Sequence, residues 1–382
     1  MRMALRASAV LIAAMLVGAC GAPPSADSTQ SPLSAIASPS VPSSPGSVPA
    51  SSPSPAPAPV APVLVIRDIA KTQVRLARLD ATDVATVTGQ YDGIAGGQVI
   101  IGNGTTLEAL DRSGTVKKLG QLAGTPNWFD PSGPVAVKSD LSQWLYTLTD
   151  DKWTSRIHLG TPTGDTLIAT IPSTDGDSFY QAYAWNASGV YMVKEPIGLG
   201  GAGPFLEYHF NLAKFDLATH RVADVSPACG VYAVLEDGTM ICRNSYASVE
   251  LEVRSPSGTK HGIQMALGND AASENEFWKV LVSPDGERLV AGRNGAKNPV
   301  LNYQMAEADL SASSLASFGP LDYNPDAWLP DGRVVAEHQC VYIDWGAGPC
   351  SASLDGTYVF SADGKSRTLF YRLKSGWVVG SI

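Results

Sequence analysis

The chain has 382 residues, 44% of them apolar and 16% charged, and a formal net charge of −9. An acidic balance argues against nucleic acid and against docking on anionic headgroups, both of which select for clustered Lys and Arg. Its five cysteines and five histidines form no CxxC and no HExxH, so the common zinc signatures are missing.

In chain order, the first predicted element is an export signal, residues 1–19. Arg2 and Arg6 make a positive start, and the apolar run 7–19 that follows is shorter than the roughly 20 residues a span needs. The run ends in Val17-Gly18-Ala19-Cys20: one aliphatic residue, two small ones, then cysteine. That pattern resembles the bacterial lipobox. The resemblance implies cleavage before Cys20, a diacylglyceryl group on its thiol, and a permanent membrane anchor facing the extracytoplasmic side of the cell membrane or outer membrane. Loss of Arg2 and Arg6 leaves 25 basic against 36 acidic residues, a mature charge of −11.

The second element, residues 20–62 including the lipidated cysteine, is a disordered stalk. From 21 to 62 it holds 12 of the 27 prolines and a single charge, Asp27; the first aromatic residue of the chain is Tyr91. Such a segment cannot bury enough apolar surface to offset its ordering entropy. Extended polyproline II, at about 3.1 Å per residue, gives it a reach on the order of 100 Å.

From residue 63 to 382 the sequence predicts an all-β domain built of repeats. Val282-Ser283-Pro284-Asp285-Gly286-Glu287-Arg288-Leu289 reads as strand, Asp-Gly turn, strand. Related figures centre on glycines 97, 133, 189, 238, 286, 332 and 376, at steps of 36, 56, 49, 48, 46 and 44 residues. Between them lie further turns, such as Asp111-Arg112-Ser113-Gly114, Ser255-Pro256-Ser257-Gly258 and Ala362-Asp363-Gly364; the earliest is Leu79-Asp80-Ala81-Thr82. One four-stranded blade per step predicts a β-propeller of seven blades, with six or eight left open by the irregular steps. The first outer pair precedes the first inner hairpin, which predicts ring closure by the N- and C-terminal strands. The Ser-Pro-Asp-Gly turn and the Asp-containing outer turns resemble WD40-like and TolB-like propeller repeats over about residues 63–382. That resemblance implies a fold and says little about function.

Four cysteines remain after Cys20, and an even number in an exported chain predicts two disulfides. Cys229 and Cys242 flank a turn at Glu236 and Asp237, equidistant from it, so they should face each other across a hairpin. Cys340 and Cys350 would close a second loop, presenting Asp344 and Trp345. Trp185, Trp328 and Trp377 fall on predicted inner strands, where large rings wedge blades together. The turn aspartates Asp237, Asp285, Asp331 and Asp363 are expected to bond nearby backbone. His220 and His261 read as turn histidines and His209 as a strand histidine, and Asp175 with Asp177 lacks the rest of a calcium loop.

The long, irregular connections 194–205, 266–275, 292–299 and 337–355 should gather on one face, where binding usually resides. The expected contacts are Arg293, Asn294, Lys297, His338, Asp344 and Trp345. With no nucleophile elbow or metal spacing, the sequence predicts no catalytic residues, no cofactor and no metal. It predicts a lipid-anchored binding or scaffold protein whose partner is an envelope protein or polymer. The alternative is a hydrolase or lyase acting on an envelope polymer.

Overall fold

The computed structural model describes residues 61–126, 134–173, 178–196, 212–226, 229–243, 250–264, 277–294, 303–338, 352–372 and 376–382. All belong to one compact unit, Pro59–Ile382. The expected signal peptide and stalk, with Cys20, lie outside the described residues. So do Asp175, Asp177, His209, Lys297, Cys340, Asp344, Trp345 and Cys350.

The unit is a seven-bladed β-propeller. Among the described residues, 28 strands form seven four-stranded antiparallel sheets, each taken in chain order from the innermost strand a to the outer strand d, with one exception at the closure. Blade 1 covers 90–121, blade 2 135–171, blade 3 178–226, blade 4 230–264, blade 5 277–321 and blade 6 323–371. Blade 7 takes its innermost strand, Trp377–Ser381, from the carboxyl end and its other three, Val63–Asp68, Gln73–Arg78 and Asp83–Thr88, from the amino end. Val63 and Ile382 bond reciprocally, N to O at 2.9 Å in both directions. The Arg112 guanidinium adds a clasp, donating to the carbonyls of Ala61 (2.8 Å) and Ile382 (3.2 Å).

The inner turns work by local chemistry. In blade 5 the Ser283 hydroxyl donates to Asp285 Oδ1 (2.5 Å) and accepts from the Arg288 amide (2.9 Å), while Glu287 N–H donates to Asp285 (3.1 Å). Gly286 closes the turn at φ 74°, a value that costs a side chain about 1–2 kcal/mol. Asp237, Asp331 and Asp363 accept backbone amides in the same way. His220 is exposed at φ 55° in an outer turn.

Two of the seven glycines do not do what the spacing implied. The inner turn of blade 2 is not at Gly133 but between strands Val135–Val137 and Trp144–Thr149. There Leu141 adopts φ 59° and donates to the Lys138 carbonyl (2.8 Å), the bond that Gly238 makes to Leu235 in blade 4. Centring the turn on 141 turns the irregular steps of 36 and 56 into 44 and 48. Gly376 stands before the innermost strand of blade 7, whose inner turn is replaced by the two chain ends. Trp377 beside it is 46% exposed, so it is not the wedge its position suggested. Trp328 is that wedge: buried, it donates Nε1–H to the Leu281 carbonyl of blade 5 (3.1 Å), with the Arg288 guanidinium 5.1 Å from its ring.

The core lies between blades. Seven buried apolar clusters among the described residues each straddle one blade-to-blade boundary. Leu64 and Ile66 of blade 7, for example, meet Leu329, Val335 and Phe370 of blade 6. Every blade is thus apolar on both faces, and none buries its surfaces without two neighbours.

Candidate functional site

Strands a and c run one way and b and d the other, so the a–b and c–d turns share one face and the b–c and d–a connections the opposite one. On the turn face no connection exceeds six residues. On the loop face the connections 122–134, 197–211, 265–276, 295–302 and 339–355 run from eight to seventeen residues. Of the candidate ligand residues, the described Arg293, Asn294 and His338 end strands at this face. Arg293 and Asn294 end strand b of blade 5, paired with Gln304 and Tyr303, and lead into 295–302.

Cys229 and Cys242 are joined by a disulfide with Cα atoms 5.6 Å apart, just below the loop face of blade 4. Both are buried against Val231, Met240 and the Tyr191–Leu212 side of blade 3. The bridge ties the start of strand a to the end of strand b, where the chain leaves for 244–249.

His338 ends strand b of blade 6 and is 2% exposed. Its ring meets Tyr323 edge-on at 5.0 Å, and Nδ1 lies 3.0 Å from Asp355 Oδ1. It therefore reaches the loop face through Asp355 rather than with its own ring.

Beside it the structure gathers charges the sequence reading passed over. Lys279 of blade 5 places Nζ 3.6 Å from Oδ1 of Asp326, a buried residue on the innermost strand of blade 6. Glu337, next to His338, shares a cross-strand row with Asn324 and Thr357. Glu337 Oε1, Asn324 Oδ1 and Thr357 Oγ1 are buried atoms that make no hydrogen bond. Burial pushes the Glu337 carboxyl up to about 8; the Asp326 charge adds to this, the Lys279 ammonium opposes it, and Asp355 adds a smaller contribution. A carboxyl of this kind holds a proton at neutral pH and can give or take one. Residues this far apart in sequence carry no local signal: they meet because blades 5 and 6 pack at Gly292, where any Cβ would collide with Asn324.

A second polar network fastens blade 1 to blade 2. The Ala123 amide donates to the Tyr146 hydroxyl (2.6 Å), which donates to Asp165 Oδ2 (2.6 Å), while His158 Nδ1 lies 2.7 Å from Asp165 Oδ1. Asp165 also lines an outer groove of about 550 Å³. Burial, and then the bond to Asp165, drive the Tyr146 hydroxyl well above the usual tyrosine range. Among the described residues, no group of three or more His, Cys, Asp or Glu side chains is arranged to hold a metal.

The architecture defines a class, the seven-bladed β-propeller with one short-turn and one long-loop face. No family model and no curated protein matches the chain. Among solved structures it is similar to an oligogalacturonate lyase in complex with manganese, at 12% identity over 82% of this chain and 85% of that one, with a TM-score of 0.50. Others are TolB from Acinetobacter baumannii, at 15% identity over 84% and 66% with a TM-score of 0.40, and a putative TolB from Agrobacterium tumefaciens, at 14% over 84% and 91% with a TM-score of 0.36. At these identities the first likeness shows the fold alone.

Proposed function

We propose that this chain is a lipid-anchored, extracytoplasmic, non-catalytic binding protein that takes an envelope protein or polymer on its loop face. One observation carries the reading: every connection longer than six residues leaves and re-enters the ring on that face. Long loops on a rigid scaffold are where recognition concentrates, because the scaffold fixes their ends while their sequences are free to fit a partner. The lipobox at Val17–Cys20 and the proline-rich 21–62 support the anchor and tether. Full-length protein should co-purify from membranes with a specific partner, and replacing 197–211 and 339–355 by short glycine-containing turns should abolish that capture with the fold intact. Capture that survives both replacements sinks the loop-face reading. For the anchor, Cys20→Ser should give an uncleaved or shed protein; unchanged mature mass and membrane retention would contradict it.

A second reading, a hydrolase or lyase acting on envelope polymer, is favoured by the Glu337, Asp326 and Lys279 cluster, since a proton-holding carboxyl beside a charged pair is general acid–base equipment. Turnover of envelope polysaccharide or cell-wall fragments that disappears in Glu337→Gln would favour it over a binding role.

A further inference from the structure

The central channel holds a cavity of about 370 Å³ between the innermost strands of blades 1 to 4. It opens toward the turn face, because its walls come from the ends of those strands that lead into the a–b turns and from the a–b turn of blade 4 itself. Its side-chain walls include Asp92, Tyr183, Trp185, Asn186, Tyr232 and Glu236. We propose that this cavity is a binding site for a small organic cation, an ammonium or guanidinium group on a short apolar body. It is separate from the loop face.

The walls are fixed before any ligand arrives, by bonds that cross from blade to blade. The Tyr183 hydroxyl of blade 3 donates to the Tyr232 carbonyl of blade 4 (3.2 Å). Asn186 Nδ2 donates to the Leu235 carbonyl (2.7 Å), and Glu236 Oε2 accepts the Ala187 amide in return (2.8 Å). Asp92, 4% exposed on blade 1, accepts the Val135 amide of blade 2 (3.0 Å). Side chains held this way lose little freedom on binding.

The charge that the described walls expose is negative. It is the Glu236 carboxylate, and none of the described wall residues is Lys, Arg or His. The Arg67 guanidinium, whose charge reaches Tyr91 beside Asp92, is not among the walls. One backbone bond leaves the exposed Glu236 carboxylate with acceptor sites to spare, since an ionised carboxylate offers about four. Aromatic faces attract cations, and they do so more strongly out of water. The volume falls within the roughly 300–1,000 Å³ of small-molecule pockets. An anion would meet the like charge of Glu236, and a neutral molecule would displace water without using it.

The test is calorimetric titration of the full chain with choline, with agmatine, and with 3,3-dimethylbutan-1-ol, the neutral carbon analogue of choline. Choline or agmatine should bind saturably with one molecule per chain and more weakly as salt is raised, and dimethylbutanol should not bind. Glu236→Gln, on an exposed turn, should weaken the cation about tenfold, roughly the loss of one charge-assisted contact. Trp185→Phe should weaken it less than Trp185→Leu, which separates ring chemistry from packing. Asp151→Asn, in the exposed b–c turn of blade 2 on the opposite face, should change nothing. Dimethylbutanol binding as tightly as choline overturns the proposal. So does indifference to Glu236→Gln, or failure of both cations to saturate folded protein at millimolar concentration.

Discussion

At Glu337 the fold holds a carboxyl away from water. That carboxyl is held at about 8 in the folded chain against an ordinary 4.5, so the folded state binds the proton more tightly than the unfolded one. That contribution is complete below pH 4.5 and is lost as pH rises through about 8. Thermal melts should therefore show stability falling between these limits, and Glu337→Gln should flatten the slope and melt higher than the parent at the alkaline end. An unchanged slope would mean that the carboxyl is solvated. The turn aspartates act in the opposite direction. Asp363, held at about 2 mainly by the Ser361 hydroxyl, favours the fold at neutral pH and loses that effect in acid. Steric limits show at the same scale. Trp144 is buried between Gly120 and Gly160, and a Cβ on either glycine would strike its indole. Gly160→Ala should destabilise by about 1–3 kcal/mol, the usual cost of overpacking, measured by denaturant unfolding. A neutral result would show that the indole can move aside.

At the scale of the element, the hairpin of blade 4 shows how a staple and a turn cooperate. The turn 235–239 sets the register, and the register brings Cys229 and Cys242 together at the other end. A bridge closing a loop this short stabilises by about 3 kcal/mol, mainly by restricting the unfolded chain. The double substitution Cys229→Ala with Cys242→Ala should lower the melting temperature by the same amount with and without reductant. In the parent, reductant should reproduce the loss. A parent insensitive to strong reductant in the unfolded state would argue against the bridge. Blade 2 shows that the turn geometry matters more than its usual residue. Leu141 takes the left-handed conformation that glycine supplies elsewhere, and its half-buried side chain packs against the cluster around Trp144 and Tyr146.

The whole molecule depends on its closure. Each cluster needs both of its blades, and blade 7 needs both chain ends. Removing 377–382 would strip the innermost strand from blade 7 and expose apolar edges toward blades 6 and 1. Cooperative unfolding should be lost and the protein should self-associate, as seen by calorimetry and light scattering. Arg112→Ala, which leaves the strand and removes only the clasp, should cost about 1 kcal/mol and keep the ring. A truncated chain that still melts cooperatively as a monomer would show that closure is dispensable.

Legible in the amino-acid pattern were the all-β class, a count of seven blades with six or eight left open, the closure by the terminal strands, and the gathering of the long connections on one face. These rest on local chemistry: Asp-Gly and Ser-Pro-Asp-Gly turns, alternating apolar strands, and the order in which the hairpins occur. It misplaced the inner turn of blade 2, because a leucine at positive φ gives no compositional sign. It also took Gly376 for an inner turn, because a glycine before a strand looks like one within a hairpin. Which side chains meet is set by the packing of blade on blade. Lys279, Asp326 and Glu337 converge across a blade boundary, and Asp92 and Glu236 share one cavity although 144 positions apart. The ring brings one strand of each blade to its centre, and residues at the same depth become neighbours whatever their separation along the chain.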